Sequence, residues 1–292
     1  MRKQKIIKMK YLKNFIFLLG FTCCLYACSD NNTSTAETAV NNNDSSDIAV
    51  EQPGMAEFEF FKIYVNMPTP LEELGHMNKD GIAYNEALLA PLENANKHES
   101  EDALAINCGM YIVDMTYQAI YHNTDKLMDY NQTVHQLADK FNASKIFDAI
   151  VADKIEAVLS DKDSLQIFIE KGLENMEEQL ADNKRINNAT QLMLGAWVEM
   201  QYILTQSILQ LPDDQIANDL KEYIFGQREH LDNLIILLEQ VKNEAGLHDE
   251  MDKLKQLEAS FTKIHEASEV EHEILVEVAN EIETVRNDLL NM

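Results

Sequence analysis

From about Phe58 to the end of the chain, apolar residues recur at three- and four-residue steps, separated by charged and amide residues. This spacing places apolar side chains along one face of a helix. Glycine and proline are scarce, and the two-residue alternation of a strand is nearly absent. Residues 58–65 alone are compatible with either a short strand or a helix start. The pattern therefore predicts an all-α, multi-helix bundle domain over residues 58–292.

Caps and helix breakers divide this region into helices. In chain order we predict a short helix with Pro70 in its first turn, a second over Tyr84–Asn96, and longer ones over Ser100–His122, Thr124–Asn142, Ser144–Leu159, Asp161–Asn183, Asn187–Gln210, Pro212–Glu244 and Asp249–Asn291. The expected N-caps are Ser100, Thr124, Ser144, Asp161 and Asp249, with Pro212 in a first turn and Gly246 as a helix stop. The last two helices predict a long antiparallel hairpin over residues 212–292, and the final helix carries a coiled-coil-like apolar seam.

Two of the helices are apolar on nearly every side, as is typical of helices at the centre of a protein. They cover Ala103–Tyr121 and Ala189–Leu209, and each has a glycine in its middle, Gly109 and Gly195. Glycine within a helix costs about 1 kcal/mol relative to alanine. A close approach of two backbones explains that cost best, so we predict that these helices pack against each other at the two glycines.

The same two helices each carry one acidic residue in apolar surroundings, Asp114 and Glu199. Because a buried carboxylate is costly unless it is bonded or paired, both need partners. Helical spacing gathers the polar residues of each helix on one stripe. The first stripe holds Asn107, Asp114, Gln118 and Tyr121, and the second holds Asn188, Gln191, Gly195, Glu199, Tyr202 and Gln206. If the two stripes face each other, they form one polar seam. Its candidate ligand-binding residues are Tyr111, Asp114, Tyr117, Trp197, Glu199 and Tyr202. Three interpretations stay open: a structural hydrogen-bond network, which we favour, a pocket for a ligand or cation, and catalysis by the two acids.

The first 27 residues have the layout of a secretory signal. Six Lys and Arg residues and no acid precede the uncharged run FIFLLGFTCCLYA, which is too short for a permanent membrane span. Leu25-x-Ala27-Cys28 resembles the lipobox of bacterial lipoproteins. The resemblance implies that residues 1–27 are removed and that Cys28 becomes the lipidated first residue, which anchors the protein to a membrane. Residues 28–57 are almost free of large apolar side chains, and this composition predicts a disordered tether.

Charge and cysteine content exclude several classes of function. Without its signal the chain has 18 basic and 50 acidic residues, a net charge of −32. Such a chain does not bind nucleic acid and does not lie flat on anionic lipid. Cys108 is the one cysteine left after cleavage and lipidation, so no internal disulfide is predicted. Its apolar neighbours predict a small buried side chain.

A resemblance to a known group rests on the order of several short segments. These are PTPLEE at 68–73, GIAYNEALLAPLEN at 81–94, NCGMYIVDMTYQAIY at 107–121 and LGAWVEMQYI at 194–203. The order is similar to that of helical lipoproteins of the Bacteroidota over roughly residues 58–240. Gly109, Tyr111, Asp114 and Tyr117 match one helix motif of the group, and Trp197, Glu199 and Tyr202 match another. The resemblance implies an all-α fold and a lipid-anchored location, without an activity.

A candidate metal site lies in HEASEVEHE, residues 265–273. On a continuous helix, His265, Glu269 and His272 fall within about 60° of one another. Histidine is a common ligand of zinc and copper, so a metal site is one hypothesis. A solvated acidic face is the alternative that we favour. No motif in the chain predicts a cofactor.

Together these patterns predict an exported protein, lipid-anchored to the inner or outer membrane and facing the periplasm or the cell exterior. We expect a non-enzymatic module that binds an envelope protein or a small ligand. The alternative is a metal- or ligand-handling protein, or an enzyme, that uses the acidic and tyrosine-rich seam or the His/Glu face. The sequence leaves the ligand, the partner, the choice of membrane and the oligomeric state open.

Overall fold

A computed structural model describes residues 60, 62–64, 66–143, 183–212, 216–245 and 248–292. Several predictions lie outside these residues. They are the signal and tether over residues 1–57, the helix Ser144–Leu159, all but the last residue of the helix Asp161–Asn183, and the helix stop at Gly246. Everything described below belongs to the compact unit over Glu51–Met292.

The described part of the chain is helical, and no strand occurs in it. Its α-helices are α1 (Pro70–Lys79), α2 (Glu101–Ile120), α3 (Thr124–Lys140), α4 (Asn183–Ile208), α5 (Asn218–Ala245), α6 (His248–Phe261) and α7 (His272–Leu289). Three short 3₁₀ helices cover Glu86–Leu88, Leu92–Asn96 and Ala267–Glu269. Residues 62–64 are also helical. The predicted all-α bundle is confirmed, and none of its described helices is long and apolar enough to span a bilayer.

Helix ends follow the predicted signals in part. The Ser100 hydroxyl accepts a hydrogen bond from the Ala103 N–H at 3.1 Å, so the predicted cap of α2 is confirmed. Pro70 stands in the first turn of α1 as expected. The prediction for α3 is wrong by one residue, because Asn123 rather than Thr124 is the N-cap. Pro212 does not begin α5, which starts at Asn218, so that prediction is also wrong.

The predicted second helix and the predicted last helix are both broken in the structure. Tyr84–Asn96 forms two 3₁₀ helices separated by extended residues. The single helix predicted over Asp249–Asn291 is wrong, because α6 ends at Phe261 and α7 begins at His272. The apolar seam continues across this break, since the chain turns back and buries both halves, from Leu254 on α6 to Ile282 on α7. The C-terminal region is therefore three packed helices instead of a two-helix hairpin.

The centre of the bundle is the contact between α2 and α4, the most extensive helix pair described. A Cβ atom on Gly109 would lie 2.0 Å from the carbonyl oxygen of Leu192. One on Gly195 would lie 1.9 Å from the carbonyl oxygen of Ile106. No side chain fits into either space, so the predicted backbone contact at both glycines is confirmed. Cys108 is buried in the same helix, as predicted.

Candidate functional site

The two acidic residues of the central helices meet inside the core. Asp114 on α2 and Glu199 on α4 are both 0% exposed. The two carboxyls lie close enough for the charge of Glu199 to act on Asp114, and two ionised carboxylates side by side in the core are costly. The close backbone contact at Gly109 and Gly195 positions the two acids, because each acid lies one to two helical turns from the glycine of its own helix. The predicted facing of the two polar stripes is therefore observed at its centre.

Arg286 on α7 neutralises this pair, and the sequence interpretation missed it. Its guanidinium donates from Nε and from Nη2 to the two Glu199 carboxylate oxygens, each at 2.7 Å. Nη2 also donates to the Leu88 carbonyl at 3.0 Å, and the guanidinium carbon lies 4.0 Å from the centre of the Tyr202 ring. Burial lowers the pKa of Arg286. The charge of Glu199 and its hydrogen bonds outweigh burial, so the pKa of Arg286 is raised overall. The geometry is that of a bidentate ion pair with a cation–π contact.

A signal for Arg286 was present in the sequence. Arg286 lies four residues after Ile282 and three before Leu289, so it occupies a seam position otherwise filled by apolar residues. A cation at a buried helix position needs an anion, and two buried acids need a cation. Sequence alone did not say that α7 would turn back onto α4, which is why the two halves of the cluster were not connected.

Asp114 is the protonated member of the acid pair. Burial raises the pKa of this carboxyl well above its ordinary value, and the nearby charge of Glu199 raises it further. Arg286 and the Ala90 N–H, which donates to Asp114 Oδ2 at 3.0 Å, lower it to a smaller extent. Asp114 Oδ1 is buried and has no hydrogen-bond partner among the described residues, which disfavours a negative charge on this carboxyl. The cluster of Asp114, Glu199 and Arg286 is then neutral overall.

The tyrosines near the seam hold the connecting segment, which we define as residues 80–100 between α1 and α2. Tyr111 donates its O–H to the Pro91 carbonyl at 2.7 Å, and Tyr117 accepts from the Asn85 N–H at 3.0 Å. Three further tyrosine hydroxyls bond across the same boundary: Tyr121 to the Ile82 carbonyl, Tyr130 to the Ala90 carbonyl, and Tyr84, within the segment, to Gln118. Burial raises the pKa of all five of these phenols. These hydroxyls are therefore neutral anchors for an irregular stretch of backbone.

Trp197 does not join the predicted seam through its polar atom. The indole is buried, and its N–H donates to the Gln227 side-chain oxygen on α5 at 3.2 Å. Gln201 donates to the same oxygen at 2.8 Å, and Gln227 in turn donates to Glu73 on α1 at 3.2 Å. The candidate residues thus belong to two separate polar clusters, one around Asp114 and one around Gln227. Sequence periodicity missed the second cluster because three helices contribute to it.

The outer residues of the predicted stripes fix the ends of the central helices. Asn107 donates to the Leu289 carbonyl at the end of α7 at 3.0 Å. On α4, Asn188 and Gln191 donate to Glu101 and Asp102 in the first turn of α2, at 2.8 and 2.6 Å. These contacts join α2 to α4 and α7 along its length.

The His/Glu candidates do not share a helix face, so the premise of the metal hypothesis is wrong. His265 follows α6, Glu269 ends a 3₁₀ helix, and His272 begins α7. The Glu269 carboxylate accepts the His265 backbone N–H at 2.7 Å. His272 lines a surface depression together with Lys221, Glu271 and Glu273, and neither His265 nor Glu269 lines it. Within the ranges that the structure describes, no group of three or more His, Cys, Asp or Glu side chains is placed to hold a metal ion.

The seam holds helices together, and the hydrogen bonds that it makes join its own side chains to one another and to the backbone. Its one ion pair is closed on both oxygens of Glu199, and its remaining acid carries a proton. A general base or nucleophile would need a free lone pair facing a substrate. No protein-family model matches this chain, and neither a curated protein nor a solved structure is significantly similar to it.

Proposed function

We propose that this protein is a lipid-anchored, non-enzymatic binding module of the cell envelope. The support for the anchor is the order of features at the N-terminus: six cations, a short apolar run and Leu25-x-Ala27-Cys28. A thiol at the first mature position is the group to which lipid is added. Several acyl chains at one terminus give stable anchoring where a single chain does not. The polar composition of residues 29–57 suits a flexible connection between membrane and domain.

The proposal that the module is non-enzymatic rests on one observation, namely which partners the buried polar groups of the seam have. Glu199 is paired with Arg286, Asp114 accepts a hydrogen bond from the Ala90 N–H, and Tyr111 donates to the Pro91 carbonyl. Groups that serve catalysis or ligand binding keep some of this capacity for the substrate. Asp114 and Glu199 therefore act as structural residues, and recognition takes place on the outer surface.

The outer surface is acidic, and three lysines on and just after α6 are already paired. Lys253 bonds to Asp288, Lys255 to Glu239, and Lys263 to Glu277. A mature chain with 18 basic and 50 acidic residues retains a large excess of carboxylates after such pairing. Surfaces of this kind repel anionic lipid and nucleic acid and attract basic partners. The partner chemistry that fits best is a cationic segment of an envelope protein.

Metabolic labelling with palmitate in the native host tests the anchor. The wild-type protein should incorporate label and sediment with membranes, and Cys28→Ser should do neither. Cys24→Ser is the matched control, because it changes a thiol four residues earlier in the apolar run and should leave labelling intact. Formaldehyde crosslinking in intact cells should then trap a basic envelope protein with the wild-type chain. Unchanged labelling of Cys28→Ser would refute the anchor.

A further inference from the structure

Glu73 on α1 is a buried carboxyl outside the seam. It is 5% exposed, and its neighbours Leu74 and Met77 bury the same face of the helix. Its Oε1 accepts one hydrogen bond, from the Gln227 side chain at 3.2 Å. Its Oε2 is buried and has no hydrogen-bond partner among the residues that the structure describes. An ionised carboxylate in this position would have one donor for two oxygens, which is a costly arrangement.

Within the part of the chain that the structure describes, no positive charge compensates Glu73. On its own helix, Glu72 adds a like charge. On α5, Tyr223 lies near Glu73. The Tyr223 ring packs against the His76 ring of α1, and the two ring centroids are 4.5 Å apart. On α4, Gln201 and Trp197 complete the surroundings through Gln227, and neither of them titrates. The contact of α1 with α2 includes a bond from the Asn78 amide to the Ile120 carbonyl, again without a charge.

We propose that α1 is a pH-sensitive latch, docked on the bundle while Glu73 is protonated and released when Glu73 ionises. Release lets water hydrate the carboxylate, which the docked position does not allow. The helix has 10 residues, and its contact with α2 and α4 is smaller than the contact between those two helices, so its opening leaves the central α2–α4 pair in place. This inference stands on the α1 contacts and does not depend on the lipid anchor.

The direction of the effect follows from linkage. Burial raises the pKa of Glu73 to about 7 from an ordinary value of 4.5, which the released helix regains. Between these two values the docked state holds a proton that the released state lacks, so rising pH favours release. The ratio of released to docked α1 should grow about tenfold per pH unit, up to about 300-fold, and level off above about pH 7.

Hydrogen exchange on the folded protein measures the latch directly. Protection of the Pro70–Lys79 amides, corrected for intrinsic exchange rates, should fall with pH as calculated above, while the Glu101–Ile120 amides serve as an internal reference. Glu73→Gln keeps the shape and removes the charge, so its protection should not vary with pH. Glu72→Gln is the matched control, an exposed neighbour that should keep most of the wild-type response. Both variants retain His76, so a difference between them comes from residues 72 and 73.

Trp197 provides a second readout, because it is the single tryptophan of the chain and hydrogen-bonds to the glutamine that holds Glu73. Its fluorescence should change with a midpoint near pH 7 in the wild type and stay constant in Glu73→Gln. Equal pH dependence of α1 protection in the wild type and Glu73→Gln would overturn the latch. If Glu73→Gln does not fold, the ¹³C shift of the Glu73 carboxyl in the wild type decides. A midpoint near 7 supports the proposal, and one near 4.5 refutes it.

Discussion

Replacing Arg286 by methionine tests whether the buried cluster is structural. The change removes both 2.7 Å bonds to Glu199, the bond to the Leu88 carbonyl and the cation–π contact with Tyr202. Glu199 is then left 0% exposed without a counter-charge. Removing one partner of a buried ion pair costs about 3–5 kcal/mol, because an uncompensated charge remains. A domain of this size has about 5–15 kcal/mol of total stability, so the loss is a large fraction of it.

Chemical denaturation at pH 7 measures this loss as a change in the free energy of unfolding. The matched control is Lys263→Met, which breaks an exposed pair with Glu277 and should cost less than about 1 kcal/mol. The double variant Arg286→Met with Glu199→Leu removes both charges and should recover most of the lost stability. A cost below about 1 kcal/mol for Arg286→Met would refute the reasoning. A double variant that is as unstable as the sum of the two single variants would also refute it.

Two further pairs of variants test the helix contact at Gly109 and the protonation of Asp114. Gly109→Ala should lower the free energy of unfolding by several kcal/mol, because its Cβ would lie 2.0 Å from the Leu192 carbonyl oxygen. Gly226→Ala, in a helical position with open space, should stabilise by about 0.5–1 kcal/mol, and equal effects of the two would contradict the packing. Asp114→Asn keeps an acceptor for the Ala90 N–H and a donor for Glu199, so stability at pH 7 should be retained or increased. Because the raised pKa of Asp114 makes wild-type stability fall as pH rises above about 4, the variant should show a flatter pH profile in urea titrations. Asp114→Leu should lose about 1–3 kcal/mol through the unpaired Ala90 N–H, and an equal loss in Asp114→Asn would contradict the assignment.

Sequence predicts the central helix pair because several local signals agree there. The all-round apolar character, the two glycines and the single acid in each helix all require the same neighbour. Helical period alone places Asp114 and Glu199 on facing stripes. The structure adds the raised pKa of Asp114 and the ion pair with Arg286 that balances the charge of Glu199.

Long-range connectivity is the part that sequence periodicity does not contain. The apolar repeat is regular on both sides of the break between α6 and α7. Within the break, Ile264 and Val270 are also buried, so the apolar pattern does not mark where the helix ends. A continuous repeat therefore suggested one helix, and Arg286 was assigned no partner. Gln227 and Glu73 lie 154 residues apart, and only the docking of α1 on α4 and α5 brings them together.

Native mass spectrometry of the mature domain, purified gently from its host with and without chelator, tests the central claim most directly. If the seam is structural, the protein should have the mass of one or more copies of the chain with its lipid, without a further adduct and unchanged by chelator. The Asp114→Asn variant should give the same result. A stoichiometric metal or small-molecule adduct that disappears in Glu199→Gln would contradict the account and make the seam a binding site.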